Sequence, residues 1–493
     1  VNQHPEHLEQ HFQQFRKNII GINQVVQTRY GSFPLLYVDW TATGRLYQPI
    51  EEKLAYGLGP WISNTHTEHT LTSQLTTEAY SYAKKILKDH VNADANDIII
   101  PVGAGTTSAL NKLQRLLGIR APSSLRASLN MPSHQRPIVI TSLLEHHSNY
   151  LSWCETIGEV ITIGLDEQHQ INLEELEHIL IQYRDRSLKI GAFSACSNVT
   201  GITTNYHQAA KLVHQYGGLC FVDCAASAPY LSINMHGQEP LAHLDGIVFS
   251  PHKFLGGPGS TGILVVNRDS IANHVPDHPG GGTVLYTTKS GAYQYIDDVE
   301  AREDGGTPAI LQTVKAALAV QLKEQMTVAK IQEREALMLH YFLPQLAKIK
   351  GIKILGYPLS TERLGIVSFT IKGCHHHLAT RLLNDRFGIQ TRSGCSCAGP
   401  YGHYLLNLSK AYSDKMVNML KQGNNTLRPG WVRVSLHPTL TNQELVYILY
   451  AIEAVTSNYQ RWQSDYHYDY RTDTFVPIHP TTNYDLAEQL FDH

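Results

Sequence analysis

FSPHKFLGGPGSTGILVV, residues 249–266, carries one apolar run into the next across a glycine-rich turn, with Lys253 set just after the first run and beside His252. A lysine that follows a strand is usually a solvated surface residue. Among glycines and strand ends, however, an amine is partly desolvated and its pKa falls, the setting a Schiff-base lysine requires. The runs on either side, DGIVFS (245–250) and GILVVN (262–267), belong to a longer rhythm. DIIIPVG (97–103) precedes the helical pattern TSALNKLQRLLG (107–118), and RPIVITS (136–142) and EVITIGLD (159–166) precede NLEELEHILIQYRD (172–185). KIGAFSACS (189–197), NYHQAAKLVHQYG (205–217) and GLCFVDC (218–224) then complete the series. Short β-branched runs alternating with amphipathic helices predict an α/β unit around a mostly parallel sheet. In such a sheet the working groups gather at the carboxyl ends of the strands.

After Gly305 the texture changes. TPAILQTVKAALAVQLKEQM (307–326) and KIQEREALMLHYFLPQLAKI (330–349) are long helical patterns. LGIVSFTIKG (364–373) and WVRVSL (431–436) read as strands on either side of the helical HHHLATRLLNDRFG (375–388). The division expected is an N-terminal helical segment (1–30), a large domain (31–300), a smaller α+β domain (301–455) and a tail (456–493) rich in Tyr, Asp and His. With 493 residues, 42% hydrophobic and 17% charged, the composition is that of an ordinary globular protein. A formal net charge of −3 gives no electrostatic reason to expect nucleic acid or an anionic membrane as partner. No apolar run is long enough to span a bilayer. The seven cysteines are odd in number and scattered, which argues against a disulfide framework and for a reducing cytoplasm.

Two further signals stand out. Asp223 ends the apolar run GLCFV; a carboxylate there is costly without a cationic partner. It reads either as a turn or cap residue or as the partner of a protonated heterocyclic nitrogen. PVGAGTTSALNKL (101–113) runs from strand through a glycine turn and the hydroxyls of Thr106 and Thr107 into a helix. That is a phosphate cradle at a helix N-terminus, although N-caps alone often look the same.

Taken together, these motifs resemble, in order and spacing, the aspartate-aminotransferase-like enzymes that use pyridoxal 5'-phosphate (PLP). Within them the chain resembles the class V branch, and in particular the cysteine desulfurases and selenocysteine lyases of the SufS/CsdB type. LEHHSNYLSW (144–153), SNVTG (197–201), SPHK (250–253), HPGGGT (278–283), REDGGTP (302–308), TRSGCSCAGP (391–400) and VRVSL (432–436) carry the likeness, over roughly residues 35–455. It implies PLP-dependent fold type I, with Lys253 bonded to the cofactor, His146 stacked on its ring, Asp223 at the pyridine nitrogen and Asn198 near the 3′-oxygen. Thr106, Thr107, Ser250 and His252 are implied at the phosphate, joined there by Thr283 from a partner subunit, hence a homodimer. The substrate implied is L-cysteine or a related amino acid, its carboxylate held by Arg433. Cys397, rather than Cys395, occupies the nucleophile position on a glycine-rich loop, and Arg392 beside it favours the thiolate. The implied product is a persulfide on Cys397, passed on to a protein sulfur acceptor.

The chain departs from the family at two places. Ala226 stands where desulfurases usually carry Gln, three residues after the aspartate. The Cys-x-Cys loop, with that small residue, is also similar to the N-terminal domains of molybdenum-cofactor sulfurases. The stretch LLNLSKAYSDKMVNMLKQGNNTLRPGW (405–431) is longer than SufS-type enzymes usually have. Other readings stay open: another class V PLP enzyme (selenocysteine or cystine lyase, epimerase, aminotransferase), or a metal or iron–sulfur scaffold on Cys374, His375–His377, Cys395 and Cys397. Adjacent histidines at a helix start point apart and read better as solvated or capping groups, so no metal is expected.

Overall fold

The computed structural model describes residues 4–65, 67, 69–126, 128–357, 362–479 and 486–492. The chain opens with helix α1 (His4–Arg16), tied by Arg16 Nη2 to Glu444 Oε1 at 2.7 Å. Seven strands then form the central sheet: β1 (Asp97–Val102), β2 (Ile138–Ser142), β3 (Glu159–Ile163), β4 (Lys189–Ser194), β5 (Leu219–Asp223), β6 (Gly246–Phe249) and β7 (Gly262–Asn267). Their spatial order is β1-β7-β6-β5-β4-β2-β3. The neighbours from β6 through to β3 run parallel, and β7 lies antiparallel to both β6 and β1. Helices cover both faces, so the strands are near-continuous apolar runs and β2, β4 and β6 are buried along their whole length. Two of the connecting helices start at the carboxyl ends of strands and aim their N-termini at one cleft: α2 (Thr106–Leu116) after β1, and α3 (His147–Cys154) after β2.

A second core lies beyond the long helix α4 (Val328–Lys348). It is an antiparallel sheet of β8 (Ile352–Ile354), β9 (Ile366–Ile371), β10 (Arg392–Gly394) and β11 (Trp431–Ser435), in the order β8-β9-β11-β10. Helices α5 (His376–Phe387) and α8 (Asn442–Trp462) pack on it around Phe369, Leu382 and Ile448. Between them in sequence come α6 (Gly399–Leu405) and α7 (Lys410–Lys421), the second of which lies within the long insertion before β11. The early stretch Leu36–Tyr37 pairs in parallel with Ile389–Gln390 and stitches the first part of the chain to this sheet. Past α8, Tyr466–Asp469 and Thr474–Pro477 form a hairpin against α5, where Tyr466 Oη donates to Asp385 Oδ2 (3.0 Å). His375 caps α5 by accepting the His377 N–H, and both rings face Asp473. No helix among the described residues is long and apolar enough to cross a membrane.

Candidate active site

The carboxyl ends of β2, β4, β5 and β6 face the strand pair β10–β11 across a cavity of about 270 Å³. Lys253 enters it from the short turn after β6. That turn needs Gly257, because a Cβ there would sit 1.8 Å from the Pro251 carbonyl oxygen. Burial lowers the Lys253 pKa to about 8; the Asp223 charge opposes the shift and the Arg433 charge adds to it. Asp223, at the last position of β5, is buried and accepts the Ala225 N–H at Oδ1 (2.9 Å). Burial raises its pKa, while that hydrogen bond and the Lys253 amine pull it down. Among the described residues its other oxygen accepts no hydrogen bond.

His146 is the N-cap of α3, its Nδ1 accepting the Ser148 N–H (3.1 Å). Burial, and then the Lys253 charge, push its pKa down to about 4, so the ring is neutral. The preceding residue, Glu145, braces this turn from below. It accepts the hydroxyls of Ser142 and Ser194 (2.6 Å each), the Asn149 amide (2.6 Å) and the Ser194 N–H (3.1 Å). At the start of α2, the Thr106 N–H donates to Ser250 Oγ (2.9 Å), and Thr107 Oγ1 lies 2.6 Å from Ser148 Oγ. His252 closes this corner; burial and the adjacent Lys253 lower its pKa to about 4.

On the facing side, β10 and β11 set Arg392 directly opposite Arg433. Asp39 bridges them, accepting Arg433 Nη2 at Oδ1 (3.0 Å) and Arg392 Nε at Oδ2 (2.9 Å). Arg433 also donates from Nη1 to the Asn198 carbonyl (3.0 Å). Asn198 Nδ2 in turn donates to the carbonyl of Ser396 (2.7 Å), the residue before the exposed Cys397. Cys395 does not face this cavity; it packs against Leu144, Ala398, Tyr401 and Trp431.

Of the residues that the family resemblance assigns to cofactor, substrate and nucleophile, all line this cavity except Thr283. Thr283 is buried elsewhere in this chain, its hydroxyl donating to the Gly280 carbonyl (2.6 Å). Asp39, Glu145 and His147 escaped the sequence reading. Asp39 carried a usable signal, since it follows the apolar LLYV as Asp223 follows GLCFV. Glu145 and His147 flank His146 within LEHHSNYLSW, and that adjacency is their signal in the sequence.

A mostly parallel seven-stranded sheet, a lysine just after its sixth strand and a smaller sheet closing the cleft are the architecture of the fold-type-I PLP enzymes. Within that class, residues 36–448 match the family described as aminotransferase class-V, and the chain belongs to it. It is similar to a probable cysteine desulfurase of Halalkalibacterium halodurans, 29% identical over 387 residues, covering 77% of this chain and 88% of the relative. A cysteine desulfurase of Escherichia coli is 27% identical over 385 residues, with the same shares of 77% and 88%. Among solved structures, the apo cysteine desulfurase of Thermococcus onnurineus superposes with a TM-score of 0.70 at 24% identity, covering 90% of this chain and 98% of that one.

The residues present fit PLP. Gly105 keeps a cradle open at the start of α2, since a Cβ there would lie 3.0 Å from Ser250 Oγ and 3.5 Å from His252 Nε2. A helix N-terminus beside hydroxyls suits a phosphate. The free oxygen of Asp223 suits a protonated ring nitrogen, and Lys253 supplies an amine that burial keeps easily deprotonated.

Proposed function

We propose that this enzyme takes sulfur from L-cysteine and holds it as a persulfide on Cys397, releasing L-alanine. The observation that carries the reading is that one cavity is lined by Lys253, Asp223, Arg433 and an exposed thiol, Cys397. Lys253, Asp223, His146, Asn198, Thr106, Thr107, Ser250 and His252 would hold PLP, which supplies an electron sink for the charge left at the substrate Cα. Arg433 binds the substrate carboxylate, a planar fork suited to that group, while Asp39 and the Asn198 carbonyl keep it aimed. Arg392, half-exposed beside it, adds positive charge at the mouth. Lys253 takes the Cα proton as a general base, because burial has brought its amine close to neutral pH. His146, kept neutral, presents a ring face without adding charge. The Cys397 thiolate attacks the substrate sulfur: an S–S bond forms as the substrate Cβ–S bond breaks, its electron pair passes to the alanine fragment, and protonation completes alanine.

A protein acceptor then collects the sulfur at Cys397, which lies exposed at the mouth. The unit is a homodimer of large (31–300) and small (301–455) domains, with Thr283 completing the phosphate site of its partner. Leu285, Tyr286 and Tyr293 on the adjoining hairpin leave apolar surface exposed, which supports docking of a second copy there. The seven unpaired cysteines support a reducing, cytoplasmic setting.

The test is alanine release from L-cysteine, with PLP and a reductant, by wild type, Cys397→Ser and Cys395→Ser. Wild type and the Cys395 variant are expected to produce alanine and the Cys397 variant almost none. Equal alanine from all three, or none from any while the PLP spectrum is intact, would discard the persulfide reading.

A further inference from the structure

His147 does not line the cavity, yet it grips the thiol loop at two points. Its N–H, in the first turn of α3, donates to the Cys397 carbonyl (2.8 Å), and its imidazole Nε2 accepts the Gly399 N–H (3.1 Å). These bonds bracket Cys397–Gly399 from a helix that the Asn149–Glu145 and Trp153–Asn149 hydrogen bonds make rigid. At the first of these bonds, and one residue before it, the backbone is strained. Ser396 and Cys397 take φ of +50° and +56°, values non-glycine residues rarely adopt and keep only where the surroundings hold them. Gly399 permits the contact, since a Cβ there would itself come within 3.1 Å of Nε2. On the other side Asn198 Nδ2 holds the Ser396 carbonyl.

We infer that His147 is a positioning residue, a latch that holds the Cys397 loop closed against the cavity so that the thiol meets bound substrate. The inference rests on the proposed nucleophilic role of Cys397. The Gly399 bond requires an unprotonated Nε2, and burial lowers the pKa of this ring below its ordinary value. The backbone bond to Cys397 survives any side-chain change, so the imidazole is the part that substitution interrogates. Released at Gly399, the loop escapes its strained conformation; the thiol then meets solvent more often and substrate less often.

The experiment compares PLP-loaded wild type with His147→Leu, which keeps bulk and loses the acceptor, and His147→Gln, whose amide oxygen reaches where Nε2 stood. Gly399→Ala attacks the same bond from the other side and serves if the leucine variant does not fold. Two readouts are taken: alkylation of Cys397 by iodoacetamide, followed on its peptide by mass spectrometry, and kcat and KM for alanine release. The leucine and alanine variants are expected to alkylate about five- to tenfold faster and to lose about tenfold in kcat with KM nearly unchanged, the scale of one lost hydrogen bond. The glutamine variant is expected to return most of both. Alkylation at the wild-type rate in the leucine and alanine variants, or equal defects in the leucine and glutamine variants, would overturn the latch. Alkylation needs no turnover, so an enzyme that never makes alanine would refute the desulfurase reading and leave the latch measurable.

Discussion

A single amine illustrates how position makes chemistry. Lys253 differs from the surface lysines only in where the turn after β6 delivers it, among Asp223, Arg433 and the buried ends of four strands. Desolvation disfavours the ammonium form, and the nearby guanidinium adds to that, while the Asp223 carboxylate limits the shift. The neutral amine therefore becomes abundant as pH rises through about 8 rather than about 10.5. Competitive acetylation of the apoprotein, read peptide by peptide across pH, is expected to place the Lys253 midpoint near 8 and exposed lysines well above it. Asp223→Asn removes the stabilising charge and is expected to move that midpoint lower. A Lys253 midpoint matching the surface lysines would show that the amine is not desolvated. Asp39 makes a related point with charges of the opposite sign. One carboxylate shared by two arginines lets Arg433 stay buried without the full cost of an isolated charge, and leaves donors for an incoming carboxylate.

Among the elements, the turn from β6 to β7 is the most demanding. Its first half is a short 3₁₀ turn, Pro251–Lys253, and the chain then folds back so tightly that Gly257 lies against the Pro251 carbonyl. Gly44 approaches the same turn from outside, where a Cβ would sit 2.0 Å from the Phe254 carbonyl. Neither backbone oxygen is a flexible tip that moves aside cheaply. Gly257→Ala is therefore expected to destabilise the protein by about 1–3 kcal/mol and to weaken PLP retention, since the displaced turn carries Lys253. Thermal unfolding followed together with the cofactor absorbance checks both; an unchanged midpoint with full colour would mean that the turn yields easily. The segment after Cys397 is equally specific. Ala398, Tyr401 and Trp431 are buried in one cluster, so α6 anchors the thiol a residue or two from its own core. The glycines around that thiol suggest a freely swinging loop, yet its neighbours tie it down on both sides.

At the scale of the molecule, the site lies in a cleft between two cores, one built on the mostly parallel sheet and one on the antiparallel sheet. Thr283 stands apart from this cleft, and its proposed place at a partner's phosphate site makes oligomeric state a functional matter. Light scattering of the PLP-loaded enzyme is expected to give twice the mass of one chain, and Thr283→Ala to weaken cofactor binding without dissociating the pair. A monomer that binds PLP and turns over normally would remove Thr283 from the site.

The order of strands and helices was legible because the buried strands are short apolar runs, several of them β-branched, and helices such as Tyr206–Gln215 between them show an apolar stripe, patterns that burial on a two-sided sheet imposes locally. Lys253 and Asp223 were legible because each follows a buried strand-like run, and Arg433 and Cys397 because their motifs resemble those of the class V enzymes. What the sequence left open were the contacts across long separations. Asp39 meets Arg433, 394 positions away, and His147 meets Gly399, 252 positions away. No local pattern encodes such partners; only packing the second sheet against the first sets a carboxylate between two arginines and an imidazole against a distant N–H. Local physics determined which groups exist at strand ends, and tertiary packing decided which of them touch.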